Sequence, residues 1–236
     1  MKKSAQNRLF PFVIPYVLLL VLDLICLTFF DQSFFRVFTK LPIVLSLLIY
    51  VFYHKNLLLK RNFRLVILAL FFCLLGDLFL IFDNYYKIFF LVGLGSFLIG
   101  HVFYIFVFSN EKFNLKKGWQ FFLLFTLVYS AFLFFVIKDS LNDLLIPVLL
   151  YMAVILVMIN TAYLRNVNSV ISYNLVLTGA LLFMVSDSVL AVNMFYEQFT
   201  WAPLVVMTTY AAAQFLIIIG LLKDNDFDQK LNGNSI

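Results

Sequence analysis

Apolar stretches of about 20 residues, each long enough to cross a bilayer as a helix, recur along this chain from end to end. They fall at 9–30, 34–53, 63–82, 86–108, 118–136, 144–163, 170–192 and 201–222. Short polar connections separate them, among them Asp31-Gln32-Ser33, Asp83-Asn84 and Lys138 to Asp143. The expected fold class is an all-α membrane protein with eight transmembrane helices and one integral-membrane domain over 1–236. A short polar cytoplasmic tail is expected at 223–236. Only 12% of the 236 residues are charged, too few to cover a water-soluble surface, and mean hydropathy is +1.02. No stretch is left over for a separate soluble domain. Phenylalanine supplies 31 residues, which serve as lipid-facing bulk.

The N-terminal Met1-Lys2-Lys3 followed by an apolar run resembles a secretory signal, but the run ends in Phe29-Phe30-Asp31 without a small-residue cleavage site. It is therefore expected to stay as the first span. Cys26 and Cys73 both fall inside spans, which argues against a disulfide framework or a cysteine zinc site. With the N-terminus cytoplasmic, 13 of the 17 lysines and arginines lie on that side and Arg36, Lys87 and Lys138 on the other. Both termini are then expected to be cytoplasmic. The net charge of +5 follows from this topology and the anionic inner leaflet, so no nucleic-acid partner is expected.

Charged side chains near the bilayer centre cost about 2.5–3.5 kcal/mol each on insertion scales, so those retained in spans need a reason. They are Asp23, Lys40, Asp77, His101 and Asp187, joined by the polar Tyr151, Tyr210 and Gln214. At 1.5 Å of rise per residue, Asp23, Lys40, Asp77, Tyr151 and Asp187 lie about 7–11 Å from the outer end of their spans. Tyr210 lies at about 14 Å, and His101 and Gln214 at about 20–22 Å. Five polar side chains from five helices thus share a level, as in a pocket opening to the outer face. A structural ion pair between Lys40 and either Asp23 or Asp77 would explain part of this without chemistry. A histidine-rich metal site is disfavoured, because the only other histidine, His54, lies in a loop, whereas the residues leave a mixed His/Asp site open. No metal or other cofactor is expected.

Two further patterns concern packing. Gly93, Ser96 and Gly100 form a small-residue face on the fourth span, where a neighbouring helix can approach closely. Leu75-Gly76-Asp77-Leu78-Phe79-Leu80 resembles Val185-Ser186-Asp187-Ser188-Val189-Leu190, with the aspartates 110 residues apart. A duplication of a four-helix unit would give such a repeat, with both copies in the same orientation.

Two buried acids in unlike surroundings can hold different protonation states, one donating a proton while the other stabilises positive charge or activates water. Glycoside cleavage uses such a division around an oxocarbenium-like state. The strings Gly76-Asp77-Leu78-Phe79-Leu80, Gly100-His101-Val102-Phe103-Tyr104, Ser186-Asp187-Ser188-Val189-Leu190-Ala191-Val192-Asn193-Met194-Phe195 and Thr209-Tyr210-Ala211-Ala212-Ala213-Gln214 resemble the signature segments of the YhhN-like, or lysoplasmalogenase, membrane proteins. The likeness spans the whole chain. The family pattern in the second span is closer to Lys-Pro-Leu, where this chain has Thr39-Lys40-Leu41-Pro42.

The resemblance implies hydrolysis of the vinyl ether bond of a lysoplasmalogen, a lysophospholipid, to a fatty aldehyde and a glycerophospho-alcohol. Taken with the buried polar residues, that reaction makes Asp77 and Asp187 the expected catalytic pair, sharing acid and water-activating roles with the assignment between them open, and Lys40, His101, Tyr151, Tyr210, Gln214, Asp23 and Asn193 the residues that bind or position substrate. The expected location is an integral, multi-pass one in a bilayer, the cytoplasmic membrane if the chain is bacterial. The alternative from another class is a small-molecule or lipid transporter or flippase whose buried carboxylates bind a proton or cation. Its discontinuous helices would call for mid-span breaks, yet Pro11, Pro15, Pro42, Pro147 and Pro203 lie mostly near span starts.

Overall fold

With no water in hydrocarbon to satisfy them, backbone N–H and C=O groups must bond within their own segment, so an apolar run of this length winds into a helix. The computed structural model describes residues 6–29, 33–83, 85–109 and 116–233. Its helices are α1 (Gln6–Phe29), α2 (Ser33–Tyr53), α3 (Lys60–Ile81), α4 (Lys87–Ser109), α5 (Trp119–Ile137), α6 (Leu145–Leu164), α7 (Val170–Phe195) and α8 (Ala202–Gly233). All eight are long and apolar enough to cross a membrane. The protein is an integral, multi-pass membrane protein. Short 3-10 turns at Lys55–Leu57, Lys138–Ser140 and Asn142–Leu144 fill the connections.

Six serine and threonine hydroxyls in the spans are satisfied on their own helix. Ser46, Ser96, Ser109, Thr126, Thr161 and Ser188 each donate to a carbonyl three or four residues back on their own helix. Gly118, at φ 89°, makes the left-handed turn into α5. Ser169 caps α7 by accepting from the Ser172 N–H at 3.2 Å. Pro42 sits within α2, which stays helical throughout, so the altered order of Lys40 and Pro42 leaves the lysine on an unbroken helix. Beyond the last apolar run, α8 continues to Gly233, and 234–236 lie outside the described residues.

Successive helices run antiparallel. The Phe12 ring of α1 stacks on Tyr50 of α2 at 4.1 Å, and the Phe122 ring of α5 stacks on Tyr163 of α6 at 4.1 Å. The tightest pairs are α3 with α4 and α7 with α8. Gly100 makes the first close: a Cβ there would stand 2.9 Å from Cys73 Sγ and 3.1 Å from the Ala69 carbonyl oxygen. The small-residue face expected on the fourth span is thus a helix contact. In the second pair, Gly179 lies against Ala213 and Ile217, and Gly220 against Ser172 and Val176. Shifting the contact of Cys73 with Gly100 by 110 residues gives Phe183 and Tyr210, whose rings meet edge to face at 5.3 Å. The two halves therefore share one packing register.

More than half of the α8 span is buried (56%), against 11% for α5. The core gathers around α8, which meets α1, α2 and α7. Phe121, Phe125, Phe132 and Phe135 line the outside of α5, a surface suited to lipid and not to water.

Candidate active site

Phe12, near the start of α1, lies by Tyr50 near the end of α2 and by Phe215 of α8, so these helix ends share one face of the bundle, and the polar residues that line the site collect toward the other. There, seven helices, α2 to α8, line a cavity of about 90 Å³. Its polar lining is Lys40 from α2, Asp77 from α3, Ser130 from α5, Tyr151 from α6, Asp187 and two serines from α7, and Tyr210 from α8, with Tyr129 of α5 beside them. Leucine, phenylalanine, methionine and valine side chains supply nearly all the rest, including Phe90, Leu94 and Phe195. An apolar chamber with a few convergent polar groups is what a small amphiphile requires.

Asp77 is buried and doubly held. Lys40 Nζ lies 3.0 Å from its Oδ1, and the Tyr210 hydroxyl donates to its Oδ2 at 2.7 Å. Behind Tyr210, the Gln214 Nε2 donates to the phenol oxygen at 3.5 Å, and the Tyr104 hydroxyl donates to Gln214 Oε1 at 2.6 Å. Gly76 lets this assembly close, because a Cβ there would fall 2.5 Å from the Phe97 ring. That ring lies edge to face with Tyr210 at 5.7 Å. Asp187 has a different setting. The Tyr151 hydroxyl donates to its Oδ2 at 2.8 Å, and no lysine or arginine is paired with it among the described residues. Asp187 also keeps more exposure to the cavity than Asp77 does.

Four of the residues singled out in the sequence lie off the cavity wall. Asp23 is fully buried and accepts from Thr39 Oγ1 at 2.6 Å, so the charge pair of Lys40 is with Asp77 and not with Asp23. His101 is sealed between Phe183, at 4.5 Å, and Tyr151, at 5.5 Å, and supports the Tyr151 ring from behind. Gln214 stands a turn behind Tyr210. Asn193 accepts from the Phe199 N–H at 3.0 Å and ties down the α7–α8 connection. Sequence reasoning missed Tyr104, although it lies 110 residues before Gln214, the same offset as the two aspartates.

At the opposite face lies a second polar cluster. Arg165 is buried 3.9 Å from Asp224, and Lys116 Nζ sits 3.2 Å over the Tyr173 ring. Partial burial, and then the Arg165 charge, hold Lys116 below the ordinary lysine range. Cys26 and Cys73 are free and buried, and no three metal-ligating side chains meet among the described residues.

The model of the YhhN family matches residues 35–221. The chain belongs to the YhhN family. Within that YhhN segment lie Lys40, Asp77, Tyr104, Tyr151, Asp187, Tyr210 and Gln214, whereas Asp23 precedes it. The chain is also similar to lysoplasmalogenase TMEM86B of Homo sapiens, at 31% identity over 134 residues. That match covers 57% of this chain and 54% of the human protein, so the chain spans about half the length of the curated relative it matches. No solved structure matches the chain.

Proposed function

We propose that this YhhN-family protein is a lysoplasmalogenase-like hydrolase, taking a lysophospholipid from the bilayer and cleaving its vinyl ether bond. The observation that carries this reading is the pair of aspartates in unlike settings on one wall of an otherwise apolar cavity. The likeness to a human lysoplasmalogenase points the same way. Asp77, with a lysine at 3.0 Å and a phenol donating to it, is suited to stay a carboxylate. Asp187, with a phenol but no paired cation, is suited to carry a proton on its other oxygen.

In this reading Asp187 gives its proton to the vinyl carbon remote from the ether oxygen. The alkyl chain beyond that carbon lies among the apolar residues of the cavity. The double bond supplies the electron pair, and the positive charge left on the adjacent carbon and the oxygen is stabilised by the Asp77 carboxylate. Water then adds to that carbon and returns a proton to Asp187, leaving a hemiacetal. Cleavage of the bond from the former vinyl carbon to the glycerol oxygen, with the hemiacetal hydroxyl proton passing to that oxygen, gives the aldehyde and the alcohol. The asymmetric split of basic residues supports cytoplasmic termini and a cavity in the outer half of the membrane. A transporter would be favoured by spans broken near the bilayer centre, and the described spans run unbroken.

The test is aldehyde release from a lysoplasmalogen by purified protein in detergent, without any gradient. Asp77→Asn and Asp187→Asn are each expected to lower the rate by at least about 100-fold. Undiminished release by both variants would overturn the site assignment, and no release by the wild type would overturn the reaction.

A further inference from the structure

The Gln214 amide is buried at the middle of the bundle with both of its ends in use. An amide has a fixed polarity: its oxygen only accepts and its nitrogen only donates. A tyrosine hydroxyl has one proton and can serve either way. With Tyr104 donating to Oε1, the Nε2 end faces Tyr210, so the Tyr210 oxygen accepts there. The single Tyr210 proton is then committed to Asp77, 2.7 Å away. If the amide were reversed, its oxygen would face Tyr210 and compete with Asp77 for that proton.

We infer that Tyr104 and Gln214 are positioning residues: the Tyr104–Gln214–Tyr210 chain, running from α4 to α8, fixes the Tyr210 hydroxyl as a donor to Asp77. The geometry around it is rigid. Tyr104, Gln214, Tyr210 and Asp77 are all buried. The Tyr104 ring stacks on Phe108 at 5.9 Å, and the Tyr210 ring is held edge-on by Phe97 and Phe183. Buried polar groups with this much support act as a unit, each setting the direction of the next. Neither Tyr104 nor Gln214 borders the cavity, so both act through Tyr210 and neither touches substrate. This places two helices' worth of the bundle core behind one carboxylate. It also gives a reason for a glutamine and a tyrosine so deep in the membrane, which the hydrolysis itself does not require.

The kinetic arm of the test rests on the hydrolase reading; the spectroscopic arm does not. In the kinetic arm, Tyr104→Phe lowers kcat for aldehyde release by about five- to tenfold, the scale of one hydrogen bond, with KM unchanged. In a Tyr210→Phe background the same substitution has no further effect, since its route to Asp77 is already cut. A purely structural Tyr104 would cost the same factor in both backgrounds, and that result, or an unchanged kcat in Tyr104→Phe, overturns the inference. In the spectroscopic arm, the infrared band of the Asp77 carboxyl is identified by its absence from Asp77→Asn. Tyr104→Phe is expected to move that band in protein without substrate, and an unmoved band overturns the inference even if the chain cleaves no vinyl ether. A wild type that releases no aldehyde but whose band moves loses the reaction and keeps the chain. Should Tyr104→Phe fail to fold, as read by its melting in detergent, Gln214→Met takes its place in both arms with the same expected outcomes.

Discussion

The two halves of the bundle are built alike and charged differently. α3 against α4 and α7 against α8 pack in one register, and each pair carries an aspartate at the equivalent position, Asp77 and Asp187. In each half the aspartate is met by the second helix of that half, but α2 presents Lys40 to Asp77 and α6 presents Tyr151 to Asp187. A repeated scaffold thus delivers two carboxyls to one cavity, and the difference in partners, Lys40 and Tyr210 at Asp77 against Tyr151 at Asp187, gives them unlike electrostatics. The asymmetry that acid–base chemistry needs comes from side chains and not from the backbone.

The sharpest way to break this comparison is to remove each partner. Lys40→Met leaves Asp77 buried beside no cation and is expected to cost about 3–5 kcal/mol of stability, as breaking a buried ion pair does. Tyr151→Phe removes one hydrogen bond from a carboxyl that borders the cavity, for about 1 kcal/mol. Unfolding in detergent measures both. In the double variant Lys40→Met with Asp77→Asn, much of the loss should return, because no uncompensated charge is left. Equal costs for Lys40→Met and Tyr151→Phe would mean that the two aspartates are held alike.

Such a pairing could be read only partly from sequence. Apolar length alone gives the helices, since hydrocarbon leaves the backbone no other way to bond. Rise per residue gives depth, which is why Lys40, Asp77, Tyr151 and Asp187 fall at one level in the sequence and meet at one cavity in the structure. Depth says nothing of azimuth. Asp23 shares the level but turns toward Thr39, and His101 turns into a ring cage. In membrane helices that are apolar on every side, no polar stripe marks the inner face, so the direction of each residue is set by contacts that only the assembled bundle makes. Tyr104 illustrates this: a tyrosine among phenylalanines has no signal of its own until Gln214 stands opposite.

The close packing of the two halves differs as well, with a smaller expected effect. A methyl added by Gly76→Ala first meets the Phe97 ring, at 2.5 Å, whereas Gly179→Ala meets, beside the Ile217 side chain at 2.8 Å, two backbone atoms, the Ala213 carbonyl oxygen at 2.9 Å and the Ile217 nitrogen at 3.0 Å. Overpacking of this kind costs about 1–3 kcal/mol, and backbone atoms yield least. Gly179→Ala is therefore expected to lower melting more than Gly76→Ala. Gly76→Ala should instead show in aldehyde release, because Phe97 can yield only by pressing on Tyr210. The opposite ranking in both assays would mean that Phe97 does not link the α3–α4 seam to the site.

Gly95 sets the floor of the comparison. It lies on the same helix as Gly93 and Gly100, but a Cβ there meets nothing within 4 Å. Its lack of a side chain serves no close approach, so Gly95→Ala should leave aldehyde release unchanged and gain up to about 1 kcal/mol from the lower entropy of the unfolded chain. A loss of melting temperature in this variant would mean that α4 packs more tightly along that face than its contacts indicate, and the ranking of Gly76 and Gly179 would then have to be rebuilt from a different seam.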